Sequence, residues 1–532
     1  MPLRSPELLE FMVPIRCIFS MGRSMKPFNI VRSKPWGFTL ILVLTVCALG
    51  LIVCGFQGCD GGSSSSPSTL NSSTPTAATF PVFPSGNQRY LQDQNGVPFP
   101  ILGRTAWFIT SLSETDYKMF IDDTVSNGYN AIEFHVVNHD ARGNHPPFGG
   151  NGALPFSKRL DGSAWAGSLS YGNINTDAPD FSLPNLTYWT HVDAILAYAE
   201  SKGILCFMFP AYTGFQGGDQ GWMHEMVANG STNMKTYGAF IADRYKPRGN
   251  IVWMLGGDYG TSGNPFTATE LTVEQAMLAG MQSIGGQSSV NVSAEWANNS
   301  IYTDQADAKL QAAGTLQGAY AGFGEVNVYA RKGYVHSPTM PTFLLEEPYD
   351  EEGPDGNNVN GSATQPVRRF QWWGWLSGIG GYISGNGYVW PFNSLLLSSD
   401  WRSHLNTRGA QDMARLNVFI RSIAWYNLVP SGLGGMRTLV VGNSSPSSSN
   451  YVAAAATPDG TLLVAYVPPD HSGPITIDMA AMSAPARARW FNPVNAEYRL
   501  IATFDNTGPA SFTPPGNNGT GFTDWVLLLE KQ

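Results

Sequence analysis

The sequence predicts an α/β fold, a (β/α)8 TIM barrel, followed by a small all-β sandwich domain. Strand-like apolar runs alternate with amphipathic helical stretches through most of the chain, and eight such units are present. After about Val429 the helical periodicity disappears, and short apolar runs alternate with turn signals such as Asp459-Gly460. A doubly wound sheet is the rival fold, but no GxGxxG motif follows the first strand.

The predicted barrel occupies residues 83–432, and the predicted sandwich occupies residues 435–532. The eight barrel strands are predicted at 100–102, 131–137, 204–209, 251–255, 290–294, 325–329, 342–345 and 380–384. Between them, stretches such as TDYKMFIDDTVSNGY and YWTHVDAILAYAESKG place apolar residues three and four positions apart and end in or next to glycine. This spacing is typical of amphipathic helices that cover a parallel sheet.

Composition narrows the class of protein. The 532-residue chain has a net charge of −9 and no basic block, which excludes a nucleic-acid partner. A charged fraction of 13% with 12% aromatic residues favours a secreted or surface protein. Four of the five cysteines precede residue 60, so the body holds only Cys206, which lies in the apolar run ILCFMF and is predicted to be a buried, unreactive thiol.

Residues 1–59 have the features of an export signal or membrane anchor. An uncharged apolar stretch at 36–56 is long enough to span a bilayer, and FQGC, ending at Cys59, resembles a bacterial lipobox. We expect lipidation at Cys59 or, as the alternative, an uncleaved anchor, and then a Ser/Thr/Pro-rich linker at 60–82. Either anchor places the body outside the cytoplasm, facing the periplasm or the cell exterior. Basic residues precede the apolar stretch at Arg23, Lys26, Arg32 and Lys34.

Acidic residues predominate where the predicted strands end, which is where such barrels carry their reacting groups. The fourth strand leads through GGD to Asp258, the fifth ends in Glu295, and the seventh ends in Glu346 and Glu347. Glycosidic bond cleavage needs two carboxylates, one to protonate the leaving oxygen and one to attack or to activate water. The pattern therefore predicts a glycoside hydrolase in which Asp258 is one reacting group.

Several assignments stay open at this point. Asp258 could instead cap the following helix. Successive side chains of a strand point to opposite sides, so one of Glu346 and Glu347 faces the barrel axis, but alternation alone does not say which. The acidic residues at 350–352 precede a turn-rich loop and are predicted to be solvated charges.

Other residues near the predicted strand ends are candidate substrate-binding groups, because aromatic rings can stack on sugar faces and polar groups can bind hydroxyls. These candidates are Trp107, His135, Tyr212, Glu295, Trp296, Tyr329, Glu346 and Trp390.

His135, His139, Asp140 and His145 are the residues that could suggest a metal site. No HExxH motif and no cysteine partner accompany these residues, and the segment between them is predicted to be a loop. The sequence therefore predicts neither a metal nor a cofactor.

Five motifs, in this order, resemble the apiosidase-like glycoside hydrolases: PFPILGRTAW, YKMFIDDTVSNGYNAIEF, RYKPRGNIVWMLGGD, PTFLLEEPY and RRFQWWGWLSGIGGYISGNGYVW. The resemblance covers roughly Pro84 to Pro430. The tail, with ARWFNPVNAEY and a closing DWVLLL, is similar to the collagen-binding-type β-sandwich that commonly follows this barrel, a label that does not by itself establish a function.

The resemblance implies roles for particular residues. Asp258 would be the acid/base, and Glu347, the glutamate before a proline, would be the nucleophile, which leaves Glu346 where the family usually has a small or variable residue. The family commonly has Gly-Asp-Thr where this chain has Gly103-Arg104-Thr105. Arg104 is therefore expected at the pocket floor as a substrate-binding residue, which puts apiose as the substrate in doubt.

The leading hypothesis is an exported, membrane-anchored glycoside hydrolase that acts on polysaccharide or oligosaccharide by a retaining mechanism. Pectic glycans that contain apiose or pentofuranose are the candidate substrates. The alternative is a non-catalytic carbohydrate-binding surface lipoprotein, suggested by Arg104 and by the β-sandwich tail. A third hypothesis is that the tail is an adhesion module and the main functional unit.

Overall fold

The computed structural model describes most of the chain from residue 78 onward. The described residues are 78–138, 140, 149–167, 178–261, 263–322, 324–346, 349–351, 367–395 and 398–532. The predicted export signal, Cys59 and the linker up to residue 77 lie outside them. None of the described helices combines the length and the apolarity needed to cross a bilayer.

Eight parallel strands form the central sheet of the described chain, and each is followed by a helix, which confirms the predicted barrel fold. The strands are β1 (Ile101–Thr105), β2 (Ala131–His135), β3 (Leu205–Phe209), β4 (Ile251–Gly256), β5 (Val292–Glu295), β6 (Gln317–Tyr320), β7 (Thr342–Leu344) and β8 (Gly381–Asn386). The helices are α1 (Glu114–Ser126), α2 (Leu186–Ser201), α3 (Met223–Tyr245), α4 (Ala268–Gln282), α5 (Ala308–Ala313), α6 (Val326–Val335), α7 (Arg368–Ser377) and α8 (Arg408–Arg421). Because β1 pairs with both β2 and β8, the sheet curls round on itself in the order β5-β4-β3-β2-β1-β8-β7-β6.

Hydrogen bonds across the seam between β5 and β6 close the curl. The Ser293 hydroxyl donates to the Leu316 carbonyl at 3.1 Å and accepts from the Gly318 amide at 3.2 Å. The Leu316 amide donates to the Val292 carbonyl at 3.1 Å. Gly318 suits this seam because a Cβ there would lie only 2.8 Å from the Ala294 carbonyl oxygen.

The predicted sixth strand at 325–329 is wrong, because these residues enter helix α6 and the strand lies earlier, at β6. The alternation of Val326 and Val328 suggested a strand. Instead, Val326, Ala330 and Tyr334 recur four positions apart and form part of the buried face of α6. The sequence of β6, QGAY, consists largely of small and polar residues, which carry little strand signal.

After α8 the chain forms only sheets and short turns, as predicted for the tail. A six-stranded antiparallel sheet contains, in spatial order, Val429–Pro430, Ala453–Ala456, Leu462–Val467, Trp525–Lys531, Ala486–Phe491 and Tyr498–Phe504. A three-stranded antiparallel sheet contains Val440–Val441, Ile475–Asp478 and Pro509–Phe512. One buried cluster packs the two sheets together, with Val440 and Ile477 from the smaller sheet and Leu463 and Leu527 from the larger.

Helix α7 joins the barrel to the larger sheet of the tail. Every residue of α7 is buried, and Trp372 stacks on Tyr466 with ring planes 5° apart. The buried Arg368 guanidinium donates two hydrogen bonds to the Asp524 carboxylate, at 2.8 and 2.7 Å, and also contacts Asp412 of α8. The Tyr466 hydroxyl donates to the same Asp524 carboxylate at 3.0 Å. A buried, bidentate ion pair of this kind ties the two parts into one folded body.

Replacing Asp524 by asparagine should lower the free energy of unfolding by about 1.5–3 kcal/mol, because the Arg368 guanidinium keeps its contact with Asp412 but loses its bidentate bonds to a charged partner. Urea unfolding measures the change. Glu114→Gln is the matched control, since its ion pair with Lys118 is exposed and should contribute little to stability. A similarly small effect of both substitutions would contradict the role assigned to the buried pair.

Candidate active site

Three carboxylates meet at the carboxyl ends of the barrel strands. Asp258 follows β4, Glu295 ends β5, and Glu346 follows β7. One carboxylate oxygen of each lies within 4.8 Å of the corresponding oxygens of the other two. Asp258 and Glu346 are half-buried, whereas Glu295 is buried. The sequence prediction that acidic groups gather at this mouth agrees with this geometry.

The turn after β4 has positive φ values, which glycine adopts easily and other residues adopt at a cost. Gly256 and Gly257 have φ values of 73° and 129°, and Asp258 itself has a φ of 54°. A Cβ on Gly257 would lie 2.1 Å from the Tyr212 ring, so the turn can pack against that ring only as glycine. The alternative that Asp258 caps the next helix is wrong, because Thr267 caps α4.

Tyrosine hydroxyls hold two of the three carboxylates. The Tyr212 hydroxyl donates to Asp258 Oδ2 at 2.8 Å. The Tyr349 hydroxyl donates to Glu346 Oε1 at 2.5 Å and accepts from Trp107 Nε1, also at 2.5 Å. Sequence reasoning missed Tyr349, whose only signal was its place just after the Glu-Pro step. Because the Trp107 indole N–H donates to Tyr349, Trp107 helps to hold the hydroxyl that binds Glu346, in addition to lining the site.

His135 lies in the aromatic wall of the site. Its ring stacks on Tyr212, with centroids 4.3 Å apart and ring planes 19° apart. Trp107 lies on another side, with centroids 4.7 Å apart. The structure thus brings His135, Tyr212 and Trp107 together beside the carboxylates, as the sequence analysis expected of substrate-binding residues.

A fourth carboxyl, that of Glu133, lies inside the barrel. The rings of Phe207 on β3 and Phe343 on β7 are 5.1 Å apart although these strands are not neighbours, so both rings face the barrel axis. Glu133 is the register partner of Phe207 and therefore faces the axis too. It is fully buried, and neither of its oxygens has a hydrogen-bonding partner among the described residues. Sequence reasoning missed Glu133, although alternation puts it on the same face as His135.

Burial controls the protonation of the inner carboxyls. Desolvation raises the pKa of Glu133 well above its ordinary value, and the nearby Glu346 and Asp258 charges raise it further. The pKa of Glu295 rises for the same reasons, with desolvation again the largest cause. A mouth with this many carboxyls can therefore hold a protonated acid beside an ionised carboxylate, which is what acid–base catalysis requires.

Among the described residues, the same three carboxylates form the only cluster of acidic, histidine or cysteine side chains that could hold a metal ion. Oxygen ligands lie about 2.3–2.6 Å from a calcium ion, so three oxygens that all lie within 4.8 Å of one another could bind one together. No metal is predicted from the sequence, and acid–base chemistry by these carboxylates needs none.

Arg104 does not lie at the pocket floor, which corrects the expectation drawn from the resemblance. Its guanidinium donates to Asp123 at 2.7 Å and to the Phe120 carbonyl at 3.0 Å, both on α1. Its Nε donates to the Thr124 hydroxyl at 2.9 Å. Because neighbours along β1 alternate, Arg104 points to the helices while Thr105 takes the axial side.

Three other predicted binding residues have different surroundings. Tyr329 is on α6, because the strand predicted to carry it is a helix. Trp296 is buried, and its indole N–H donates to the Tyr302 carbonyl at 2.8 Å. Trp390 is half-buried, with its ring 5.9 Å from that of Phe108.

Some predicted residues cannot be placed. Glu347, the predicted nucleophile, lies outside the described residues, as do His139 and His145. Asp140, which is described, is buried.

Asp350 is not a solvated loop charge, which corrects the sequence analysis. It is buried, pairs with β8 and accepts a hydrogen bond from the Thr407 hydroxyl. Burial raises the pKa of Asp350 to about 6. Glu351 is half-buried, and its carboxylate lies 2.5 Å from His404 Nδ1. The strand pairing after β7 draws this acidic stretch inward, which turn composition alone did not indicate.

The (β/α)8 barrel with acidic residues gathered at its carboxyl-terminal mouth is the architecture of barrel glycoside hydrolases. The chain belongs to the apiosidase-like family, since the model of the apiosidase-like catalytic domain matches residues 85–427. Residues 437–530 match the model described as "Putative collagen-binding domain of a collagenase". These matches confirm the resemblance, and the chain is a glycoside hydrolase with a carbohydrate substrate.

Solved structures agree at the level of the fold. One described as a glycoside hydrolase is 19% identical, with a TM-score of 0.64, over 86% of this chain and 99% of that chain. A glycoside hydrolase family 5 structure from Bacteroides vulgatus is 20% identical, with a TM-score of 0.64, over 85% of this chain and 93% of that chain. No curated protein matches the sequence.

Glu274 of α4 contacts the end of β4, just before the turn that carries Asp258, and makes the stability of the fold depend on pH. Its buried carboxyl accepts from the Gly256 amide at 3.2 Å, and burial raises its pKa from 4.5 to about 7. Between these values the folded chain holds a proton that the unfolded chain releases. The free energy of unfolding therefore falls as pH rises from about 4.5 to 7, by about 3 kcal/mol from this group.

Glu274→Gln keeps the acceptor for Gly256 but cannot titrate, so its unfolding free energy should fall less over this range than that of the wild type. Urea unfolding at pH 5 and pH 7.5 measures the difference. Glu114→Gln, which alters an exposed carboxyl, serves as the control. Parallel pH dependences for the wild type and Glu274→Gln would contradict the assignment.

Proposed function

We propose that this glycoside hydrolase cleaves its substrate with two carboxylates and with retention of anomeric configuration. Asp258 is the acid/base, and the nucleophile is a glutamate of the Glu346-Glu347 pair. The observation that carries the proposal is the approach of the Asp258 and Glu346 oxygens to within 4.8 Å.

This spacing favours retention over inversion. Retaining enzymes place their carboxyl groups about 5–5.5 Å apart, whereas inverting enzymes leave about 6.5–9.5 Å for a water molecule. A water that attacks the far face of the sugar would not fit between carboxylates as close as Asp258 and Glu346.

In the first step the nucleophile's oxygen bonds to the anomeric carbon while the glycosidic bond breaks. Asp258 gives its proton to the departing oxygen, which leaves as an alcohol. In the second step Asp258 takes a proton from water, and the resulting hydroxide oxygen bonds to the anomeric carbon and releases the nucleophile. Both carboxyls return to their starting protonation states.

For the nucleophile, the geometry favours Glu346 and the resemblance favours Glu347. Glu346 is held by the Tyr349 hydroxyl at 2.5 Å and lies beside Asp258. The hydrogen bond from Tyr349 favours the ionised form of the carboxylate, which is the form that attacks. Glu347 is the glutamate that precedes the proline, as the family pattern requires.

The substrate class and location extend the proposal. The family resemblance supports pectic, apiose- or pentofuranose-containing glycans, and the N-terminal segment supports an exported protein anchored to the membrane through Cys59 or through an uncleaved span. The binding-only alternative loses one of its two grounds, because Arg104 points to α1 and not into the site. Its other ground, the presence of the β-sandwich tail, stays.

Asp258→Asn should lower kcat by about 10²–10⁴-fold on unactivated oligosaccharides, because the leaving oxygen then departs without a proton. The loss should be smaller on a 2,4-dinitrophenyl glycoside, whose leaving group needs no proton. Steady-state kinetics on both substrates measures the two effects. Full activity of Asp258→Asn on the oligosaccharides would rule out the acid/base assignment.

Glu346→Gln and Glu347→Gln separate the two candidates for the nucleophile. The variant that removes the nucleophile should lose turnover on activated and unactivated substrates alike, while the other should retain measurable turnover. Glu497→Gln, an exposed change of the same chemistry in the tail, is the control. If both Glu346→Gln and Glu347→Gln turned over at the wild-type rate, the two-carboxylate mechanism would be wrong.

A further inference from the structure

The loop after β3, residues 214–221, is closed tightly on itself. A Cβ on Gly221 would lie 2.1 Å from the Gly214 nitrogen, so the two ends of the loop can touch only as glycines. Backbone amides of Gly217 and Gly218 donate to the carbonyls of Gly214 and Phe215, at 2.8 and 3.0 Å. The loop therefore has a defined shape, which its own hydrogen bonds maintain.

This loop presents Phe215 to solvent. Phe215 is 55% exposed. Phe215 and Phe83, which is 37% exposed, are the two most exposed phenylalanines among the described residues. Left-handed φ values surround it, 94° at Gly214, 56° at Gln216 and 71° at Gly217. Single exposed apolar side chains are common on protein surfaces, so exposure alone does not indicate a function. The left-handed backbone on both sides of Phe215 does indicate one, because such conformations are costly and gather at functional sites.

The same loop is attached to the turn that carries the acid/base. The Thr213 hydroxyl donates to the Gly257 carbonyl at 3.0 Å, and the Gln216 amide donates to the Asp258 carbonyl at 3.4 Å. A Cβ on Gly217 would lie 3.1 Å from the Tyr259 ring. Phe215 is thus fixed relative to Asp258, the group that faces the departing side of the bond.

We propose that Phe215 is the stacking platform for the group on the leaving side of the scissile bond, and that this group is a sugar or aryl ring. The inference rests on the proposed function, because it takes the leaving side from the role of Asp258. An exposed ring on a rigid support loses little entropy when a sugar face or an aromatic ring stacks on it. The enzyme is accordingly specific for glycosides with a ring in the leaving group, and small alcohols leave this platform uncovered.

The test measures affinity in the full-length chain with Asp258→Asn, which slows turnover by about 10²–10⁴-fold. The probes are a panel of pectic and arabinose-rich oligosaccharides and the corresponding monosaccharides, titrated by calorimetry. Adding Phe215→Ala should weaken oligosaccharide binding by about tenfold and leave monosaccharide binding unchanged. Phe215→Tyr should restore the affinity, because it keeps the ring.

Phe83→Ala is the matched control. Phe83 lies next to Val82, whose carbonyl accepts from Asn291 at the start of β5, so it belongs to the opposite end of the barrel from the catalytic mouth. Its replacement should leave oligosaccharide affinity unchanged.

Equal affinity of the Phe215→Ala variant and its parent would overturn the proposal. An equal loss for monosaccharides would also overturn it, as would a parent that binds no oligosaccharide of the panel. Product release by the wild-type chain is measured separately and tests the proposed function. A tenfold affinity loss together with no product release would overturn the proposed function and, with it, the assignment of Phe215 to the leaving side, and would leave Phe215 only as a glycan contact.

Discussion

The rest of the structure depends on one electrostatic constraint, the gathering of like charges in the partly buried mouth of the barrel. Carboxylate oxygens of Asp258, Glu295 and Glu346 approach within 4.8 Å, and Glu133 lies below them without a described hydrogen-bonding partner. Such groups cannot all be ionised in a medium that screens charge poorly, so they share protons. That is the condition under which one carboxyl serves as an acid while its neighbour attacks.

Holding these groups together requires support from several elements at once. The Gly256-Gly257 turn aims Asp258, Tyr212 donates to it, and Tyr349 donates to Glu346. The tail contributes indirectly, since the buried pair of Arg368 and Asp524 fixes α7, the helix between β7 and β8. The tail is therefore an integral part of the described fold. The collagen-binding description of its family model does not by itself give the tail a function.

Sequence reasoning succeeded where the pattern is strong. Apolar runs located seven of the eight strands, and the acidic residues at strand ends located Asp258, Glu295 and Glu346. It failed where local pattern and tertiary context disagree. QGAY is a strand because its neighbours in the barrel supply the partners, and EVNVY is helical because one face of it is buried.

Side-chain direction was harder to predict than element type. Arg104 was expected inside the barrel, yet alternation along β1 turns it to α1. Phe215 carried no signal, since an exposed ring is recognised only when the fold of its loop is known. The choice between Glu346 and Glu347 depends on a strand end where the backbone leaves regular geometry, with a φ of 51° at Glu346, so regular alternation cannot resolve it.

The anomeric configuration of the first product tests the central claim most directly. Proton NMR of the hydrolysis, recorded before the released sugar equilibrates, identifies the anomer formed at the reacting carbon. Carboxylates as close as those of Asp258 and Glu346 predict that the first product keeps the configuration of the substrate. A first product of inverted configuration would contradict the account, because it would require a water molecule where the structure places the two carboxylates together.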